Sequence, residues 1–169
     1  TATITLLSTD NTFDDLTISA GVVTAASNIN VTNGLIVSGG TYALGATTLV
    51  VSGAATLSGS GDGIASGGAA SFTVSGTLTM SGGDINFTGD SVTVSLASVN
   101  ISSAASGISL GAGNWTVTGT WTNASTDGTR WNAGTGTVTF NSATGGTMTF
   151  AGANLAEDEF SSVTFDSSG

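Results

Sequence analysis

Ser71–Ser102 reads SFTVSGTLTMSGGDINFTGDSVTVSLASVNIS. Apolar residues take every second position in Phe72–Val74, Leu78–Met80, Ile85–Phe87, Val92–Leu96 and Val99–Ile101, with Thr, Ser or Asn between them. Side chains alternate across a strand, so this pattern predicts strands with one buried and one solvated face. Ser75-Gly76, Ser81-Gly82 and Thr88-Gly89 interrupt the pattern at intervals of six and seven residues. Hairpins of ordinary length do not fit such intervals. Strands that turn a corner and continue around a coil do.

The same alternation extends outward in both directions. It is present in Thr3–Leu7, Asn28–Val31, Thr47–Ser52, Asn114–Thr118, Thr135–Asn141, Thr147–Phe150 and Ser162–Asp166. The apolar–Ser/Thr–Gly corner recurs at Val37-Ser38-Gly39, Val51-Ser52-Gly53, Leu57-Ser58-Gly59 and Val117-Thr118-Gly119. Glycine at these corners is expected to supply positive φ. The predicted fold is all-β, a β-solenoid of parallel β-helix type, right-handed or a closely related stack. The alternative is a β-sandwich, which needs Asn-Gly or Asp-Gly turns at wider spacing, and only Asn33-Gly34, Asp62-Gly63 and Asp127-Gly128 qualify. Ser60–Ala70 (SGDGIASGGAA) reads as a loop, and Ala153–Glu159 has weak helical character.

Composition removes whole classes of chemistry. Among 169 residues there is one Lys or Arg, no His, no Cys and no Pro, and the net charge is −10. A thiol nucleophile, a His base, a Lys Schiff base and a Cys/His zinc site lack their atoms. Phosphate neutralisation needs clustered cations, so nucleic acid is not an expected partner. No apolar run is long enough to predict a membrane span. The first residue is Thr, with no basic and apolar leader before the first strand, which reads as a processed start. Low charge and Ser/Thr/Gly bias point to an extracellular or cell-surface location.

The two ends of the chain resemble each other. Phe13, Leu16, Thr17 and Ile18 follow an acidic linker near the start, and Phe160, Val163, Thr164 and Phe165 follow another near the finish, 147 residues later. The chain is therefore read as a single module, 1–169, in which 1–21 and 148–169 are equivalent parts of successive repeats.

Asn132–Phe140 (NAGTGTVTF), with Asn141–Phe150 and Phe160–Phe165 after it, resembles a module of large repetitive surface proteins of bacteria and archaea. Ser38–Gly53 (SGGTYALGATTLVVSG) is similar to the strand repeats of autotransporter-type adhesins. The resemblance implies a β-helical, secreted or surface-attached protein serving in adhesion, layers or filaments, and it carries over no catalytic residue.

Carboxylates are the plentiful charged groups. Asp10, Asp14 and Asp15 form one cluster and Glu157, Asp158 and Glu159 another. Calcium takes clustered carboxylate oxygens, so each is a candidate Ca2+ site, with a solvated acidic loop as the plainer reading. Trp115, Trp121, Arg130 and Trp131 are candidates for a glycan-stacking patch, or else a core cap with one cation–π or carboxylate contact. Asn30, Asn86, Asn100, Asn114 and Asn123 sit in glycosylation sequons. Thr-x-Thr begins at Thr77, Thr116, Thr137 and Thr147, at intervals of 39, 21 and 10 residues, which is unlike the constant spacing expected of an ice-matching lattice.

No enzymatic activity is expected. The expected role is a structural module that polymerises with copies of itself. Ile4, Leu6, Leu16 and Ile18 of one copy would meet Met148, Phe150, Val163 and Phe165 of the next. The alternative is a glycan- or host-binding adhesin, or a phage-fibre segment.

Overall fold

A computed structural model describes residues 3–6, 10–142, 145–150 and 159–166, with the side chains of 3–6, 10 and 62 left out. The strands run β1 (Thr3–Leu6), β2 (Asp10–Ile18), β3 (Gly21–Ala25), β4 (Asn28–Val37), β5 (Gly40–Ala43) and β6 (Thr48–Val51). Next come β7 (Ala55–Leu57), β8 (Gly61–Ala65), β9 (Ser71–Met80), β10 (Gly83–Asn86), β11 (Thr93–Ile101) and β12 (Ile108–Ser109). The last are β13 (Trp115–Val117), β14 (Trp121–Asn123), β15 (Trp131–Asn132), β16 (Thr137–Asn141), β17 (Met148–Phe150) and β18 (Ser162–Asp166).

Every strand pairing is parallel. The chain is a β-solenoid of about seven turns. One face is a seven-stranded sheet in the order β1-β3-β5-β8-β10-β12-β15. The long strands β2, β4, β9 and β11 shape the remainder, an eleven-stranded sheet whose two halves are two further faces. In the other turns those halves are separate strands, as in β6 with β7 and β13 with β14. A sandwich of antiparallel hairpins is excluded.

Register explains why alternation alone suffices to build this core. Phe13, Val31, Val51, Val74, Leu96, Val117, Phe140 and Phe165 are successive partners along one file, in steps of 18 to 25 residues. From Val31 to Phe140 all of them are buried. A second file on the seven-stranded sheet joins Val23, Tyr42, Ile64, Ile85 and Ile108. Each apolar residue covers the one beneath it, so burial needs no helix or second sheet, only the next turn.

Three expectations are corrected. Ser60–Ala70 is not a single loop, because Gly61–Ala65 forms β8 and pairs on both sides. Of the corner glycines only Gly89 has a positive φ, at 79°. The others answer to space: a Cβ on Gly76 would lie 2.6 Å from the Gly53 carbonyl oxygen, and one on Gly53 would overlap that of Asn33. The corners are stacked so closely that glycine is required by the turn beneath. Thirdly, uneven residue spacing does not prevent regular spacing in space, because the connections absorb the difference while the strands stay in register. Outward positions Thr73, Ser95, Thr116, Thr139 and Thr164 follow one another through five consecutive turns.

The acidic-linker motifs occupy different places in the coil. Phe165 lies in the file of Phe13, whereas Phe160 precedes β18, and Leu16–Ile18 runs along the other half of its sheet from Val163–Phe165. Of Ala153–Glu159, only Glu159 lies within the described residues.

Candidate functional site

The two ends of the coil carry most of the predicted residues. At the C-terminal end β18 pairs with β16 and β17 with β14, and neither has a second partner among the described residues. Met148, Phe150, Val163 and Phe165 stand in the inward files, above Trp121, Asn123, Val138 and Phe140. Phe150 is 47% exposed, Val163 38% and Phe165 68%, whereas their counterparts one turn below are buried. Among the described residues these make three of the four large hydrophobics that are exposed, Ile36 being the other.

Aromatic rings gather at this end. Phe165 stacks on Phe140 at 5.7 Å and 18°. Phe160 meets Trp121, Trp131, Phe140 and Phe150 edge to face, at centroid distances from 5.5 to 6.3 Å. The Trp131 indole N–H donates to the Glu159 carbonyl, tying Phe160 into place. Beside the cluster is a cavity of about 410 Å³ lined by Gly119, Phe140, Met148, Phe165 and Asp166 among others.

At the N-terminal end β1 and β2 pair only with β3 and β4 among the described residues. Ile4 and Leu6 are placed by register opposite Val23 and Ala25. Phe13 and Leu16 are half-buried. Ile18 is already buried within its own coil, so contact with a partner at that position falls to backbone.

The acidic candidates whose side chains are described do not converge. Asp14 and Asp15 point outward from β2, accepting hydrogen bonds from the Thr32 hydroxyl at 3.2 Å and the Asn33 amide at 2.9 Å. Glu159 belongs to the opposite end, and Glu157 and Asp158 lie outside the described residues, as does the Asp10 side chain. Among the described residues no three acidic side chains come together.

The glycan patch is dismantled in part. Trp115 and Trp121 are buried in the inward files, and the Trp115 indole donates to the Leu110 carbonyl at 3.0 Å. A ring inside the coil cannot stack on a sugar outside it. Trp131 remains half-buried and Arg130 partly exposed. Of the sequons, Asn123 is corrected as well: it is fully buried in the file above Ile101, its side-chain Oδ1 accepting from the Ser125 amide at 2.9 Å. Asn100 and Asn114 are exposed, while Asn30 and Asn86 are half-buried.

Sequence reasoning missed the partner of Arg130. Asp127 caps the short 3-10 turn Gly128–Arg130; the Thr129 hydroxyl and amide bond its carboxylate and hold that carboxyl below its ordinary range. The turn aims Arg130 along the coil, where Nη2 lies 2.8 and 2.6 Å from the two Asp84 oxygens, two turns below. Gly107 occupies the turn between. Its amide donates to Asp84 at 2.7 Å, and a Cβ there would come within 2.7 Å of the Arg130 carbonyl. The ion pair is half-shielded, with side chains 35% and 20% exposed, and borders a cavity of about 360 Å³ with Asn86, Ser109, Trp131 and Asn132. This cluster acts as a brace across three turns: its carboxylate already has its counter-ion.

Comparison with protein-family models, with curated proteins and with solved structures gives no match. No helix among the described residues is long and apolar enough to cross a membrane.

Proposed function

We propose that this chain is a non-catalytic extracellular structural module of a filament, sheath or surface layer. Modules add head to tail, the β17–β18 end of one copy meeting the β1–β2 end of the next. The observation that carries this reading is the exposure of Phe150, Val163 and Phe165, which stand in core files and are left bare. Parallel strand edges offer unpaired N–H and C=O groups to a new strand, and apolar residues in register give it something to cover. Because the two surfaces differ, each addition exposes the same end again, and the assembly grows without closing.

Deleting Thr1–Leu7 tests the reading, since it removes the first strand and leaves the rest of the coil. Polymerisation should stop while the β-sheet circular dichroism signal persists. Undiminished fibres from the shortened chain would refute the pairing scheme. The acidic clusters, Asp10, Asp14 and Asp15 of one copy and Glu157, Asp158 and Glu159 of its neighbour, would both belong to such a junction, where Ca2+ would relieve the repulsion. A chelator arm in the same experiment reads this separately: fibres that survive chelation exclude a bridging cation. Surface-glycan binding is left with Arg130 and Trp131, and a glycan array with Trp131→Ala as control tests it.

A further inference from the structure

Between its end strands β2 and β18, the eleven-stranded sheet carries no charge. From β4 through β17 no strand of the eleven-stranded sheet contains Asp, Glu, Lys or Arg, although the chain has a net charge of −10. Asp62, Asp84, Asp90, Asp127 and Arg130 all lie on the seven-stranded sheet or in connections, and the charges of the eleven-stranded sheet are confined to its ends, Asp10, Asp14 and Asp15 on β2 and Asp166 on β18. In place of charge the face presents hydroxyls. Thr73, Ser95, Thr116, Thr139 and Thr164 form one file, and Thr56, Thr79, Thr122 and Thr149, with Asn100 between them, form a second on the other half of the sheet. Two residues before the first file stand Ser71, Thr93, Thr137 and Ser162, with Asn114 between Thr93 and Thr137.

We propose that this hydroxyl face adsorbs to ice. Backbone pairing fixes the files at about 4.8 Å per turn, and alternate residues along a strand at about 6.7 Å, so the first file and the one two residues before it form a two-dimensional lattice on one face, with the second file on the face beside it. Oxygen rows in hexagonal ice repeat at nearly the interval between turns. Threonine suits such a surface twice over: its branched Cβ restricts χ1, so little rotamer freedom is lost on binding, and its methyl sheds water while its hydroxyl bonds to it. A rigid coil presents all turns at once. The outward positions of these strands hold no aromatic ring, so a sugar lattice would find no stacking platform. An ionic surface would find no counter-charge. Ice is the uncharged, hydrogen-bonding solid that matches the spacing.

The test is thermal hysteresis and ice-crystal shaping by the purified chain, beside Thr116→Tyr at the centre of the array and Ala104→Tyr on an exposed connection off it. Thermal melting and sedimentation are measured on all three. The native chain and the Ala104 variant should hold ice growth back and facet crystals, and Thr116→Tyr should lose most of that activity with its fold intact. Thr139→Lys, which adds a charge without a large ring, should lose it too, so the result does not depend on one variant folding. Phe165→Ala should retain it, which separates this face from the end contact. Ice growth unaffected by the native chain overturns the proposal. Full activity in both array variants does so as well. A concentration-dependent dimer that Thr116→Tyr abolishes, with no hysteresis in either, assigns the face to a second copy and overturns it equally.

Discussion

Phe165→Ala is the substitution that most sharply separates an end contact from ordinary surface. The ring lies over Phe140 at 5.7 Å, yet 68% of the residue faces solvent. A phenylalanine offers about 200 Å² to burial, so covering the exposed part removes about 140 Å² from water and contributes about 3.5 kcal/mol at about 25 cal/mol per Å². Alanine forfeits most of that. At 1.4 kcal/mol per factor of ten, the concentration needed for half-maximal association should rise by at least about 100-fold. The native fold tolerates the change, because no described residue packs above this ring. Sedimentation velocity over a concentration series, with melting temperature as control, reads the two effects apart. An unchanged association curve with an unchanged melting temperature would show that Phe165 meets no partner, and the end-pairing scheme would fail.

Three further predictions concern the coil itself. Leu78→Ala, in the middle of the buried files, should destabilise by about 2–5 kcal/mol through lost contacts and the cavity left behind, measured by chemical denaturation. Gly107→Ala should cost about 2 kcal/mol, or roughly 4–8 °C in melting temperature, because its Cβ pushes Arg130 off Asp84; combined with Asp84→Asn the losses should fall short of additive. Burial raises the Tyr42 phenol above its usual 10.0, and its hydroxyl has no hydrogen-bond partner among the described residues. The unfolded chain therefore ionises first: stability is fully present below pH 10 and falls above it by up to about 1.4 kcal/mol per unit, and Tyr42→Phe should abolish that alkaline loss.

Alternation and closely spaced glycines made the coil legible, since both follow directly from one strand stacking on the next. What they could not show was continuity. Ser71–Ser75 and Thr77–Ser81 read as two strands, yet Gly76 lies inside the single strand β9, where it makes room for the turn below. Gly61–Ala65 read as a loop because its apolar content is one Ile and one Ala, although pairing with β5 and β10 holds it in the sheet. The exposed end of the coil was partly legible: Phe150, Val163 and Phe165 could be picked out, whereas Ile18 proved to be core. Trp115 and Trp121 were open between a surface anchor and a core cap, and their alternating positions marked them as the core they prove to be. The 46-residue separation of Asp84 and Arg130 gave no local signal at all. The threonine array was hidden by unequal connections, and only register reveals it.

The central claim is that seven parallel turns end in surfaces that accept further copies. Mass per unit length of assembled material, by electron microscopy, tests it most directly. Turns about 4.8 Å apart place one 16.3 kDa chain in roughly every 35 Å of a strand one coil wide. That value is the predicted result. Particles that remain single 16.3 kDa chains at every concentration, or assemblies whose mass per length requires side-by-side packing with unpaired ends, would contradict the account.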